Sequence, residues 1–274
     1  MAFNGSASLD TLAEEVFGDV YLGYQSTGSG SWTGAKGIID QLYIGYEGTG
    51  YLGISASEDD LIVDGSFYVA RESGSSGQID IALGSIYIEA LISPYIGYNG
   101  PGSLNITDGG SFTSQRGLRV AYYTGANDSS LSISNRGELS LDTSLWLGYQ
   151  GRASLTLSDG GVTTVGTDFL VSGKTYPSSS GASIVRITDP GDDDPGDIDK
   201  VTRLDIASNA YLGAATAREN GRSYADFSID ADSQMRVGNG DTSSIEGAGG
   251  TDGYCHFAGQ SAPLWDGVFM GLGA

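Results

Sequence analysis

Four sets of residues in this chain are of types that do chemistry. The first is Cys255 beside His256, the only cysteine and the only histidine. A thiol and an imidazole can form a nucleophile and its base. Adjacent residues of an extended chain point apart, however, so this pair is not expected to work as one. A single cysteine also excludes an intramolecular disulfide and a cysteine-built zinc site. The second set lies in the stretch 188–199, TDPGDDDPGDID, with aspartates at 189, 192, 193, 194, 197 and 199. Hard cations take several carboxylates, so calcium is the ligand this density suits, with Asp192, Asp193, Asp194, Asp197 and Asp199 as candidates. The spacing matches neither an EF-hand nor the Gly-Gly-x-Gly-x-Asp calcium repeat. Two Asp-Pro-Gly turns and a charge density too high to bury read instead as a solvated loop, 188–201, so no cofactor is expected.

The third set is Asp64, Asp80, Asp108 and Asp159. Paired carboxylates on one face could cleave a glycosidic bond by general acid–base catalysis. Two of these open Asp-Gly-Gly corners, at 108–110 and 159–161, and Asn135-Arg136-Gly137 does the same job. Asp, Asn and Gly tolerate the left-handed backbone of tight corners, so these residues read as turn formers and the chain is not expected to be an enzyme. The fourth set is aromatic: Tyr21, Tyr43, Tyr68, Tyr95, Trp146 and Tyr211 hold one phase of a recurring phrase. Gly23, Gly45, Gly97, Gly148 and Gly213 stand two residues on. In register these make an outward aromatic ribbon beside a shallow glycine strip. Such a ribbon either stacks on itself, stabilising the array, or offers a contact face to another subunit or a glycan.

The elements that must position these residues are short strands. The stretch 94–114, PYIGYNGPGSLNITDGGSFTS, holds two alternating apolar runs, each closed by a glycine turn. The phrase returns as VYLGY from Val20, LYIGY from Leu42, LWLGY from Leu145 and AYLGA from Ala210. Degenerate copies start at Phe67, Leu118, Phe169 and Met235. The step is roughly 22–27 residues, and a period of that size with strand alternation marks a solenoid. Leu42 and Ile44, Leu104 and Ile106, Leu131 and Ile133, and Leu155 and Leu157 share a face and must stack coil upon coil inside; Tyr46 falls on that inward face too. About ten coils at ~4.8 Å give a rod on the order of 50 Å.

Composition agrees. Gly is 44 of 274 residues, about twice ordinary usage, which suits many turns rather than helices. The formal charge of −21, from 13 basic and 34 acidic residues, argues against nucleic-acid and anionic-membrane binding. No signal peptide and no apolar run long enough to insert in a membrane is visible. The expected organisation is a cap or docking segment at 1–19, a solenoid over 20–249 and a cap or oligomer-contact tail at 250–274. Within the first, Leu9, Leu12, Ala13, Val16 and Phe17 fall at helical spacing with Asp10 able to cap, so a short capping helix is expected.

At YIGYNGPGSLNITDGGSF the chain resembles the short repeat of autotransporter passenger domains and PEP-CTERM surface proteins. Copies at 42–55, 94–112 and 145–162 carry the resemblance, and weaker ones extend it over 20–250. It implies an all-β, right-handed parallel β-helix, exported or displayed, structural or adhesive, with no catalytic residues in the repeat. With neither leader nor C-terminal barrel seen, a virion appendage (phage capsid or tail) fits as well as a cell surface, and related virion solenoids are usually trimers. The expected partners are other copies of the chain, other surface or virion proteins, or a glycan. A tailspike-like polysaccharide-binding or depolymerising β-helix is the alternative.

Overall fold

The computed structural model describes residues 2–11, 15–34, 36–57, 60–171, 183–188, 202–208, 210–212, 225–229, 234–237, 245–246 and 255–258. The acidic stretch 189–201, with all five candidate calcium ligands, lies outside the described residues, as does most of 213–274.

The chain is a β-solenoid. Its strands form three parallel sheets of ten, ten and nine strands, and each sheet takes every third strand in chain order. This compares with the expected ten or so coils; six successive coils, over 20–165, are described with few gaps. One coil shows the plan: Leu42–Ile44 in the first sheet, Thr49–Ile54 in the second and Asp60–Val63 in the third. Neighbouring coils pair with like positions opposite each other, as in Leu42↔Phe67, Leu52↔Ile79 and Leu61↔Ile86.

Alternation explains the core. In the second sheet Leu52, Ile79, Leu104, Leu131, Leu155 and Val185 are successive register partners, all buried. A single coil has no apolar partner for such residues, so burial comes only from the coils on either side. The third sheet carries two polar exceptions in its inward columns. Ser114 is buried, and its Oγ accepts a hydrogen bond from the Arg116 amide at 3.1 Å. Thr163 is buried between Leu139 and Leu204, and its Oγ1 has no hydrogen-bond partner.

The N-terminal capping helix is not formed. Ala2–Phe3, Gly5–Thr11 and Glu15–Phe17 are strands, one for each sheet, and make the first coil. Leu9 is the register partner of Trp32, and Phe17 of Ile39. The Phe17 ring meets Trp32 edge to face at 5.7 Å. Pairing with the next coil decides the matter: GSASLDT lies along TGSGSWTG, where small residues favour extended pairing over a helix. At the other end the second sheet runs on to Cys255–Ala258, beyond the boundary drawn at 249, with Cys255 and His256 as neighbours on one strand. Among the described residues no helix is long and apolar enough to cross a membrane.

Candidate functional site

The outward face of the first sheet is built by strands of two or three residues. In the three-residue strands between Val20 and Val171 the first and third residues go inward and the middle one outward, as at Phe67, Tyr68 and Val69. Register therefore puts Tyr21, Tyr43, Tyr68, Tyr95, Arg119 and Trp146 in one column. The expected file is present, with two interruptions. Arg119 stands between Tyr95 and Trp146, and Leu170 stands between Trp146 and Tyr211.

The rings stack face to face. Tyr21–Tyr43 centroids are 4.6 Å apart at 5°, Tyr43–Tyr68 5.6 Å at 4°, and Tyr68–Tyr95 5.1 Å at 6°. Stacking leaves Tyr43 only 7% and Tyr95 only 9% exposed, so in this file the ring faces are turned to each other and not to solvent.

The glycine strip does not exist as expected. Gly23, Gly45, Gly97 and Gly148 follow the strand with φ between 71° and 77°, in the left-handed region. They turn the corner, and each is pressed against the next coil: a Cβ on Gly45 would lie 1.9 Å from the Ser76 carbonyl oxygen. In two copies Ala70 and Ala121 take this position, with φ of 54° and 55°.

That corner creates a second file, which strand alternation does not foresee. It reverses the facing of the next residue, so Tyr46 comes out beside Tyr43 instead of going inward with Ile44. Tyr24–Tyr46 stack at 5.2 Å, Tyr98–Tyr122 at 5.6 Å and Tyr122–Tyr149 at 4.8 Å. Arg71 holds the rung after Tyr46, three residues past the middle of its strand, as Tyr46 is past Tyr43. Its guanidinium lies 4.9 Å from the Tyr46 centroid, 5.5 Å from Tyr68 and 5.7 Å from Tyr43, and it donates to the Tyr46 hydroxyl. Arg119 fills the gap in the first file: it lies 5.5 Å from Tyr95 and 5.4 Å from Trp146, and donates to the Tyr95 hydroxyl at 2.8 Å. Edge-to-face contacts, such as Tyr68–Tyr98 at 5.2 Å and Tyr95–Tyr122 at 5.0 Å, join the files across both arginines. The missed signal was the glycine ahead of the second tyrosine in each Tyr-x-Gly-Tyr.

Burial in this stack raises the phenol pKa of Tyr21, Tyr43, Tyr68 and Tyr122. Tyr98 is raised most, first by burial and then by the bonded Tyr123 hydroxyl. Phenols held protonated well above neutrality are poor bases and poor nucleophiles there. What the face can do is stack, bind cations through its rings and donate hydrogen bonds from its edge.

The carboxylates are placed separately. Asp108 and Asp159 have φ of 54° and 50°, and Asn135 47°, all turn formers as expected. Asn135 Nδ2 donates to Asp108 Oδ1 on the adjacent coil. Asp80 lies outward on the second sheet, and Asp64 follows a third-sheet strand, where its amide donates to the Ile39 carbonyl. No group of three or more His, Cys, Asp or Glu able to hold a metal occurs among the described residues. No protein-family model, curated protein or solved structure matches the chain.

Proposed function

We propose that the protein is a non-enzymatic structural and adhesive solenoid, displayed on a cell or virion surface and associating with further copies of itself. The observation that supports this reading is the pair of aromatic files. Their rings and both arginines are engaged with neighbouring coils along six rungs, which stiffens a long body with flat faces. A solenoid whose stability is a sum of neighbour contacts suits a spacer or a display scaffold. The net charge of −21 keeps such a body soluble and turns it away from polyanions.

Labelling of intact source cells and virions with antibodies to the solenoid tests the display role. Labelling without permeabilisation is the expected result, and an epitope reached only after lysis overturns it. Sedimentation equilibrium tests the partner: three copies are expected, and a monomer at every concentration removes self-association.

A further inference from the structure

Away from the stacked files, Tyr51 stands on the outer face of the second sheet, 37% exposed. The ring lies down along its own strand. A Cβ added at Gly53 would be 3.1 Å from the Tyr51 hydroxyl and 3.4 Å from Cε1, so glycine is what lets the ring rest on the sheet. Asp80, on the adjacent coil, stands beside the hydroxyl and, after burial, helps to raise its pKa. That carboxylate is further fixed by Gln78 Nε2, 2.9 Å from both oxygens, and by Asn105 Nδ2 at 2.7 Å. One ring face is thus held against the strand at Gly53 and the other left open.

Beside the ring runs a groove of about 300 Å³, crossing four coils, with Tyr51, Gln78 and Ser103 on one side and Ser76, Pro101 and Asp128 on the other. Its volume is at the lower end for small-molecule sites, roughly 300–1,000 Å³. Apolar surface comes from the ring and Pro101, and polar groups from the Gln78 amide, the hydroxyls of Thr49, Ser76 and Ser103, and the Asp128 carboxylate. Asp128 is ion-paired with Arg152 at 2.7 Å.

From this geometry we infer that the groove binds a neutral saccharide, one pyranose C–H face lying on Tyr51 and its hydroxyls meeting Gln78, Ser103 and Asp128. A flat ring matches the apolar face of a sugar, and amide, hydroxyl and carboxylate groups match its rim. Charge selects among sugars: Asp128 is offset by Arg152, but the Asp80 carboxylate beside the ring, on a chain of net charge −21, disfavours uronic and sialic acids. The inference rests on the adhesive part of the reading above and is independent of where the protein is displayed.

The test is saturation-transfer NMR on the intact chain. Trisaccharides of glucose, mannose, galactose and N-acetylglucosamine form the neutral arm, and triglucuronate and sialyllactose the acidic one. At least one neutral trisaccharide receives saturation, with a dissociation constant on the order of 1 mM, the weak range expected of a shallow open site. Tyr51→Ala and Gln78→Ala weaken it at least about tenfold, while Tyr51→Phe, which keeps the ring, stays within about threefold. Ser103→Trp fills the groove from the outer face and abolishes binding even if Tyr51→Ala proves unstable. Silence from the whole neutral arm, unchanged binding in Ser103→Trp, or equal binding of acidic sugars overturns the inference. Surface labelling would still stand after that outcome, so the two failures are distinguishable.

Discussion

Tyr43 and Tyr46 are three residues apart, which in a continuous strand puts them on opposite faces, yet their rings meet edge to face at 5.4 Å. Gly45, at φ 71°, reverses the chain between them. The double file of rings therefore depends on one left-handed residue per coil. Gly45→Ala adds a left-handed penalty of about 1–2 kcal/mol and a clash with the Ser76 carbonyl, so a loss of at least about 2 kcal/mol is expected in urea denaturation. Ala121→Gly, at an equivalent corner where a Cβ is already accommodated, is expected to fall within about 1 kcal/mol of the native chain. A Gly45→Ala protein with the native midpoint would show that the corner is not rigid.

Arg71 acts as a rung. It lies over three tyrosine rings and pairs with Glu72 at 3.2 Å, an exposed pair of little worth alone. Arg71→Ala is expected to cost about 1 kcal/mol through the lost ring contacts. Arg71→Tyr, which completes the file with the residue used on most other rungs, is expected to stay within about 0.5 kcal/mol of the native chain. Denaturant midpoints of the two variants decide: equal losses would mean that the cation, not the stacked plane, is what matters.

The inward part of this fold was legible because strand alternation is a strictly local rule. Leu104 with Ile106 and Leu131 with Ile133 announce their burial within three residues, and in-register pairing of successive coils, whatever their length, then sets them on each other. The N-terminal coil was not legible. Leu9, Val16 and Phe17 satisfy a helical stripe equally well, and the partner that selects the strand, 27–34, lies a full coil away. Half of the aromatic face escaped for another reason. Alternation fails across a left-handed glycine, so Tyr24, Tyr46, Tyr98 and Tyr149 were assigned inward or not at all. Arg71 and Arg119 escaped as well, because nothing in a one-dimensional pattern shows that a guanidinium plane can replace a ring.

Thr163 supplies an isolated test of core chemistry. Its hydroxyl is buried without a partner in a column whose neighbours are Leu139 and Leu204. Thr163→Val keeps the branched shape and removes the desolvated hydroxyl, so a gain of about 1 kcal/mol is expected. Thr164→Val, on the exposed side of the same strand, is expected to change stability by less than about 0.5 kcal/mol. Thermal and urea midpoints of the pair check this, and a destabilised Thr163→Val would mean that the hydroxyl has a partner in solution.

The raised phenols make stability depend on alkaline pH in a defined direction. In the unfolded chain tyrosine titrates at about 10. In the folded chain Tyr21, Tyr43, Tyr68, Tyr98 and Tyr122 hold their protons to higher pH, chiefly through burial, with Arg71 pulling back on Tyr43 and Tyr68. Above about pH 10 the unfolded state has therefore released protons that the folded state retains, and stability falls as pH rises. Below that point these groups contribute no slope. The share of phenolate absorbance that belongs to these five tyrosines is expected to appear above the midpoint of a free tyrosine amide, and together with loss of the β-sheet circular dichroism. The full phenolate absorbance of the chain forming at the free midpoint while the sheet signal persists would mean that the files are open to solvent, and the stiffness attributed to them would go with it.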